Sequence, residues 1–271
     1  MVKKKYADLK INTVYNEDCL KTMAKMPDNF INLTITSPPY DSMRKYKGYT
    51  FDFKAIAREL YRVTKEGGVV VWVVGDQTIK GSESGTSFKQ ALYFKEIGFR
   101  LHDTMIYQKG NFSMPDRTRY HQIFEYMFVF SKGKPSTFNP IVDRKNKSAG
   151  SRCFSTNTKR VPNGGMRRTN RRDKVKELGR RYNIWQMNTA AQEKPCQKLE
   201  HPAIFPAALA RDHIKSWSLP GDLVYDPMLG SGTTASMAIE TGRNFIGSEI
   251  SKEYCKLARK TIKGAIKFLE Y

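Results

Sequence analysis

A loop with two glycines lies between two acidic residues in the C-terminal part of the sequence. Asp226 ends one short apolar segment and is followed by Gly230 and Gly232, and Glu249 comes near the end of the next apolar segment, NFIGSEI. This order predicts strand, loop, helix and strand, the arrangement of a nucleotide-type site in a doubly wound sheet. The glycines would let a ligand approach the backbone, and Glu249 could accept hydrogen bonds from two ribose hydroxyls.

The glycine loop lacks the signature of a phosphate-binding loop. The pattern GxxxxGK[ST] is absent, and no lysine follows Gly232 directly. Asp226 would repel a pyrophosphate but could hold an ammonium group. S-adenosylmethionine has a ribose, a positively charged amino-acid end and no phosphate, so it is the predicted cofactor. This chemistry requires no metal.

The segment Ser37-Pro38-Pro39-Tyr40 directly follows FINLTIT, whose apolar residues predict a buried strand. Proline has no N–H, and a residue that precedes proline is restricted to extended conformations. This strand end therefore offers hydrogen-bond acceptors in fixed directions without competing donors. Ligands bind at the carboxyl ends of strands in open α/β sheets, so the segment is a candidate site for an acceptor substrate.

Strands alternate with helices along most of the sequence. Strands are predicted at 30–36, 67–74, 100–108, 123–130, within DLVYDP and within NFIGSEI, and helices at Phe53–Thr64, Ser87–Ile97, Ala203–Ser216, Thr233–Thr241 and Lys252–Ile266. This alternation predicts an α/β fold with a doubly wound, mainly parallel sheet that is covered on both faces.

The positive charge of the chain is concentrated in one segment. The formal net charge is +21, and fourteen basic residues against three acidic ones lie between Val142 and Arg181. Glycine, asparagine and weak apolar periodicity predict a loop-rich insertion here, with a disordered linker as the alternative. Such a density of cations suits phosphate contacts with a nucleic acid. The candidate residues are Arg144, Lys145, Lys147, Arg152, Arg167, Arg168, Arg171 and Arg172.

Cysteine usage and hydropathy limit the class of protein further. Cys19, Cys153, Cys196 and Cys255 form no CxxC pair, which argues against a zinc site or a disulfide framework. No apolar run approaches the roughly 18 residues of a membrane span, and the basic N-terminus lacks the apolar stretch of a signal peptide. We therefore expect a soluble cytoplasmic protein.

Four motifs occur together in the chain: NEDCL at 16–20, SPPY at 37–40, HPAIFP at 201–206 and DPMLGSGTT at 226–234. They resemble the motifs G-D-C-L, [DNS]-P-P-[YFW], H-P-x-x-F-P and D-P-F-x-G-S-G-T-T of the DNA amino-methyltransferases, with Glu17 in the place of a glycine. The SPPY motif precedes the variable region and the cofactor loop follows it. This order is similar to that of the β group of the family.

The resemblance implies a role for each matching residue. The Ser37 hydroxyl and the Pro38 carbonyl would accept the two hydrogens of an exocyclic amine, and the Tyr40 ring would stack on the base. The implied catalytic residues are Ser37, Pro38, Pro39 and Tyr40. The implied cofactor-binding residues are Asp18, Cys19, His201, Phe205, Asp226, Pro227, Gly230, Ser231, Gly232, Thr233 and Glu249, with Asp18 beside the cofactor adenine.

The resemblance also implies the organisation and the substrate. Residues 1–139 and 196–271 would form the two halves of a methyltransferase domain, around a basic target-recognition insertion at 140–195. Duplex DNA is the expected substrate, and serine before the two prolines favours N4 of cytosine. N6-adenine methylation is the alternative, and an RNA methyltransferase or a catalytically inert DNA-binding protein are more distant ones. The oligomeric state, monomer or homodimer, and a cognate restriction endonuclease stay open.

Overall fold

The computed structural model describes residues 9–39, 51–111, 117–151, 158–168, 174–188 and 206–269. It divides into two compact units. The large unit comprises Met1–Asn139 and Asn183–Tyr271, and the basic unit comprises Pro140–Tyr182. The insertion was expected to run to residue 195, whereas the basic unit ends at Tyr182.

Both units contain strands, and helices and strands alternate in much of the large unit. In chain order the elements are β1 (Thr13–Tyr15), α1 (Cys19–Ala24), β2 (Ile31–Thr36), α2 (Phe53–Val63), β3 (Thr64–Val74), β4 (Thr78–Ile79), β5 (Ser82–Glu83), α3 (Thr86–Glu96), β6 (Arg100–Lys109), β7 (Phe124–Ser131), β8 (Val142–Lys145), β9 (Thr158–Arg160), β10 (Met166–Arg168), β11 (Leu178–Arg180), β12 (Ile184–Met187), α4 (Ala207–Trp217), β13 (Leu223–Asp226), α5 (Thr233–Glu240), β14 (Asn244–Ser248) and α6 (Lys252–Leu269). No helix within the described residues is both long and apolar enough to cross a membrane.

One eight-stranded sheet forms the centre of the large unit, in the order β1-β14-β13-β2-β3-β7-β6-β12. Strand β7 runs antiparallel to its neighbours β3 and β6, and the other neighbouring strands of this sheet are parallel. The predicted α/β fold with a mainly parallel sheet is therefore confirmed.

The sheet is covered by helices because its strands carry apolar residues in near-continuous runs. Val70, Trp72 and Val74 of β3 belong to a core cluster with residues of α1, α2 and α3. The fully buried Trp72 donates a hydrogen bond from Nε1 to Oε1 of Gln90 over 2.8 Å, so its one polar atom is satisfied inside the core. Helices α4, α5 and α6 contact one another in turn.

Helix boundaries follow local chemistry. Asp18 and Asp52 cap α1 and α2, since each side chain accepts a hydrogen bond from a backbone amide in the first turn. Gly98, with φ of 113°, follows α3 as expected for a stop signal. Helix α4 was predicted to start at Ala203, but Pro206 has an extended ψ of 140° and the helix begins at Ala207. Residue 203 itself lies outside the described residues.

The basic unit contains two small antiparallel pairs of strands, β8 with β11 and β9 with β10. The turn between β9 and β10 contains Pro162 and Asn163 and continues through Gly164, whose φ is 81°. Val161 and Gly165 close this turn, since the Val161 amide donates to the Gly165 carbonyl over 2.8 Å. The sequence predicted a loop-rich insertion, and no strand was predicted within it, so these pairs were missed.

Candidate functional site

Two neighbouring parallel strands bring the acceptor motif and the glycine loop to the same edge of the sheet. In β2 and β13, Leu33 pairs with Val224 and Thr34 pairs with Tyr225. Strand β2 ends two residues later at Thr36, directly before Ser37, and β13 ends at Asp226. The two predicted motifs therefore begin side by side at the carboxyl edge of the sheet, where ligands bind in open α/β folds.

Asp226 shapes the start of the glycine loop. Its side chain is 2% exposed, and its two carboxylate oxygens accept hydrogen bonds from the Met228 amide over 3.0 Å and from the Thr234 hydroxyl over 2.7 Å. Burial raises the pKa of Asp226 to about 6, while interactions with Thr234, the Met228 amide and Thr36 oppose that rise. A buried negative charge thus lies beneath the loop at neutral pH, next to the end of β2.

Glu249 fastens the glycine loop to the end of β14. Its two carboxylate oxygens accept hydrogen bonds from the amides of Gly230 and Ser251, each over 2.8 Å. The side chain is 8% exposed, and burial raises its pKa. An ionised carboxylate has about four acceptor positions, so these two bonds leave room for further donors.

Backbone conformation favours glycine at both loop positions, and close packing favours it further at Gly232. Gly230 has φ of 53° and Gly232 has φ of 88°, both in the left-handed region that favours glycine. A Cβ atom on Gly232 would lie 2.9 Å from Cα of Ala258 in α6, so this glycine allows close packing of two helices. The sequence interpretation assigned Gly232 to close approach of a ligand, and the structure adds a packing role that depends on a residue far along the chain.

Two hydroxyl side chains of the glycine loop and the start of α5 are partly accessible. Pro227 is buried directly after Asp226, whereas Ser231 and Thr233 are half-buried. The Ser231 and Thr233 hydroxyls lie 3.3 Å apart. These polar groups stand at the N-terminus of α5, where unpaired helix amides and the helix dipole favour oxygen atoms of a ligand.

Asp18 and Cys19 begin α1 near the same edge of the sheet. Oδ1 of Asp18 accepts a hydrogen bond from the Leu20 amide over 2.8 Å, and the side chain is half-buried. Burial and the charge of Asp18 raise the pKa of Cys19 to about 12, so this thiol stays protonated and packs in the core. Tyr225 belongs to the same core cluster as Cys19, and burial raises its pKa, with the charges of Asp226 and Asp18 adding to that rise.

Glu17, which replaces the glycine of the resembled motif, has its own partners. Its carboxylate pairs with Lys25 over 2.6 Å and accepts a hydrogen bond from the Thr22 hydroxyl over 2.9 Å. Both partners lie on or just after α1, so Glu17 braces the helix that Asp18 caps. The departure from the motif is compatible with the turn before α1.

The acceptor motif is described in part. Ser37 and Pro39 are half-buried and Pro38 is buried. Tyr40, His201 and Phe205, which the sequence placed in the site, lie outside the described residues. The structure therefore brings Ser37, Pro38 and Pro39 to the edge that also carries Asp18, Asp226 and Glu249.

The hydrogen-bond acceptors at this edge fit S-adenosylmethionine. Carboxylates lie at or just after the carboxyl ends of the adjacent strands β1, β14 and β13, at Asp18, Glu249 and Asp226, and such groups suit ribose hydroxyls and an ammonium group. The predicted direct contact of Asp226 with the ammonium group stays a prediction, since its oxygens already hold the loop. Thr234 was missed by sequence reasoning, although its place in the GSGTT run next to Asp226 could have indicated it.

The candidate nucleic-acid residues lie in the basic unit. Lys145, Lys147 and Arg167 are exposed, and Arg144 is half-buried. Arg168 belongs to β10, while Arg152, Arg171 and Arg172 lie outside the described residues. Asp143 pairs with Arg181 and so neutralises one cation of this unit, and the pair lowers the pKa of Asp143.

The fold and the acid-lined edge together define an S-adenosylmethionine-dependent methyltransferase, and two solved structures have the same fold. The cytosine-N4-specific PvuII DNA methyltransferase matches with a TM-score of 0.65 and 18% identity, covering 95% of this chain and 91% of that one. M1.HpyAVI in complex with SAM matches with a TM-score of 0.61 and 22% identity, covering 92% and 98%. The predicted cofactor, S-adenosylmethionine, is confirmed.

Residues 31–260 match the DNA methylase family of the N6 and N4 type, and the chain belongs to this family of DNA methyltransferases. It is 57% identical over 241 residues to the orphan methyltransferase M.BamHII of Bacillus amyloliquefaciens, covering 88% of this chain and 91% of the relative. It is 25% identical over 264 residues to the type II methyltransferase M.BglII of Bacillus subtilis, covering 94% and 69%. The resemblance drawn from the four motifs is confirmed.

Proposed function

We propose that this DNA methyltransferase transfers the methyl group to N4 of cytosine in a specific duplex sequence. The observation that carries the proposal is the placement of Ser37-Pro38-Pro39 directly after β2, beside the strand that ends in Asp226. Serine before the two prolines favours cytosine over adenine, since the adenine enzymes of the family more often have Asp or Asn there.

An exocyclic amine is a poor nucleophile because its lone pair is delocalised into the base. Acceptors that hold both N–H groups favour a pyramidal nitrogen with a directed lone pair. The Ser37 hydroxyl oxygen and the Pro38 carbonyl would be these acceptors, and the prolines keep competing N–H donors away. Bound S-adenosylmethionine supplies an electrophilic methyl group, and the residues of this chain contribute position and electrostatics.

The cofactor would lie over the glycine loop at the same edge. Glu249 would accept hydrogen bonds from the ribose hydroxyls while it holds Gly230, and Asp18 would lie beside the adenine. The buried charge of Asp226 would favour a positively charged group above the loop. Pro227, Ser231 and Thr233 would form the rest of the loop surface, and Cys19, His201 and Phe205 would line it.

The target amine cannot be reached inside a duplex, so the base must be flipped out at a cost of a few kcal/mol. Phosphate contacts from the basic unit would offset this cost, and its exposed Lys145, Lys147 and Arg167 support that role. Arg152, Arg168, Arg171 and Arg172 are further candidates for phosphate contacts from their place in the basic sequence. Tyr40 would stack on the flipped base.

The protein would act in the cytoplasm, and a cognate restriction endonuclease is a candidate partner.

The proposal is tested by methyl transfer to different acceptors. The protein is incubated with labelled S-adenosylmethionine and unmethylated duplex DNA, single-stranded DNA or RNA. We expect transfer to duplex DNA, with loss of transfer in Ser37→Ala and retention in Ser37→Thr, which keeps the hydroxyl. Cofactor binding by both variants should stay near that of the unchanged chain. Preferential transfer to RNA, or equal loss of transfer and cofactor binding in Ser37→Ala, would contradict the proposal.

A further inference from the structure

One arginine of the basic unit, Arg144, is held in place by Gly179, Arg180 and Tyr182, a set of contacts that we call its seat. Arg144 lies on β8 and is half-buried, while Lys145 and Lys147 are exposed. Its guanidinium carbon lies 4.5 Å from the centre of the Tyr182 ring, and its Nε donates a hydrogen bond to the Arg180 carbonyl over 3.0 Å. A cation over an aromatic face and a fixed Nε leave the guanidinium plane with little freedom to rotate.

Gly179 completes this seat from the neighbouring strand. It pairs directly with Arg144 across β11 and β8. A Cβ atom at Gly179 would overlap Nη2 of Arg144 and would lie 3.1 Å from its Cζ. The residue has no positive φ that would require glycine, but a side chain there would force the Arg144 guanidinium out of its described position.

Among the residues that the structure describes, none accepts a hydrogen bond from the two Nη groups of Arg144. Within the described part of the chain, no carboxylate pairs with Arg144, and its described hydrogen bond uses Nε alone. Arg181 differs, since its Nε and Nη2 both donate to the carboxylate of Asp143. The two Nη groups of Arg144 therefore form an oriented donor fork, whereas Arg181 is neutralised.

Contact with a phosphate does not require a guanidinium that is fixed in one orientation. Exposed lysines contact phosphates without a fixed orientation, because the interaction depends mainly on charge. A planar fork with two donors matches O6 and N7 of guanine in the major groove, and a good bidentate pair discriminates by about 1–3 kcal/mol. Fixing the fork before binding reduces the entropy lost when this pair forms.

We propose that Arg144 is a specificity-determining residue that recognises a guanine of the target sequence through its two Nη groups. Gly179, Arg180 and Tyr182 act as positioning residues for it. The inference rests on the proposed function, since it names the base contact by which the methyltransferase selects its duplex site. It goes beyond phosphate binding by the basic unit, which requires no particular arginine.

The test begins with the sequence preference of the unchanged chain. Genomic DNA free of methylation is treated with the protein and S-adenosylmethionine, and the methylated positions are mapped by sequencing. Absence of any methylated DNA would overturn the proposed function. The inference is then still tested by selection from a random duplex pool, where the unchanged chain should enrich a guanine-containing sequence and Arg144→Lys should lose that guanine.

With an active protein, Arg144→Lys is compared with Lys147→Gln. Arg144→Lys keeps the charge but removes the fork, so we expect methylation of the mapped site to fall roughly 5- to 150-fold and one guanine position to become degenerate. Its affinity for unrelated duplex DNA and the salt dependence of that affinity should not change. Lys147→Gln should instead weaken binding to all sequences and lower the salt slope by about one. The same uniform behaviour in Arg144→Lys would make it a phosphate contact and overturn the inference.

Substitutions of Tyr182 and Gly179 test the seat while Arg144 itself is unchanged. Tyr182→Phe keeps the aromatic face and should retain the guanine preference, while Tyr182→Ala and Gly179→Ala should weaken it. Circular dichroism and thermal unfolding verify that each variant folds. A folded Gly179→Ala protein with the preference of the unchanged chain would contradict the role of the seat.

Discussion

The backbone amide of Gly230 donates a hydrogen bond to the carboxylate of Glu249 over 2.8 Å. This bond joins the loop after β13 to the end of β14, so one carboxylate fixes the loop and, in the proposed function, would also bind the cofactor ribose. A residue with both functions should affect stability and cofactor affinity together.

Replacement of Glu249 by glutamine tests this double role. The amide has one acceptor oxygen and a donor NH₂ group, so one of the bonds from Gly230 and Ser251 is lost, and we expect a loss of about 1–3 kcal/mol in unfolding free energy. Affinity for S-adenosylmethionine, measured by calorimetry, should fall about tenfold or more. Glu240→Gln, at an exposed acid of α5, is the matched control and should change neither quantity. Normal cofactor affinity in Glu249→Gln would contradict the assigned role.

Substitution of Gly232 separates packing from backbone strain. Gly232→Ala combines φ of 88° with a Cβ that would lie 2.9 Å from Cα of Ala258, so we expect a loss of about 2–5 kcal/mol in unfolding free energy. Gly221→Ala is the control, because its φ is 84° and no atom lies within 4 Å of the added Cβ. It should cost about 1–2 kcal/mol. Equal losses in denaturant titrations of the two variants would show that the contact with Ala258 has no energetic weight.

Asp226 predicts a specific pH dependence of stability. Burial raises its pKa to about 6 in the folded chain, above the ordinary value of 3.8, so the folded state binds the proton more tightly. The stabilisation is therefore complete below about pH 4 and is lost as the pH rises through about 6, a change on the order of 3 kcal/mol. Asp226→Asn lacks this titration. The difference in unfolding free energy between the two proteins should shift against the unchanged chain from pH 4 to pH 7, and a constant difference would contradict the assignment.

The basic unit predicts steeply salt-dependent DNA binding. If six or more phosphates are contacted, affinity for duplex DNA should fall by about 10³ or more between 50 and 200 mM salt. Exchange of Lys145 and Lys147 for glutamine should reduce the slope of log affinity against log salt by about two. Fluorescence anisotropy with a labelled duplex measures both slopes. A shallow slope in the unchanged chain would remove the phosphate role from this unit.

Long apolar segments made most of the large unit predictable from sequence. The strands that carry the motifs, β2, β13 and β14, were all expected, because their buried residues form continuous runs next to glycine and proline signals. Short elements were not expected. Helix α1 has six residues, and β12 has one buried residue, Trp185, so neither offers enough periodicity for detection.

Close contacts between distant residues were beyond sequence reasoning as well. The packing of Gly232 on Ala258 and of Gly179 under Arg144 depends on pairings that appear only in the fold. The chemistry of each residue was still informative, since both positions are glycines in otherwise structured segments. The interpretation of Gly232 as a position for ligand approach was incomplete for this reason.

The methylated nucleoside tests the central claim most directly. The unchanged chain and Ser37→Ala are expressed in a bacterial host without DNA methyltransferases, and the DNA is digested to nucleosides for mass spectrometry. We predict N4-methyldeoxycytidine in DNA from the unchanged chain and its absence with Ser37→Ala. N6-methyldeoxyadenosine in its place, or no methylated nucleoside from a folded, cofactor-binding protein, would contradict the account.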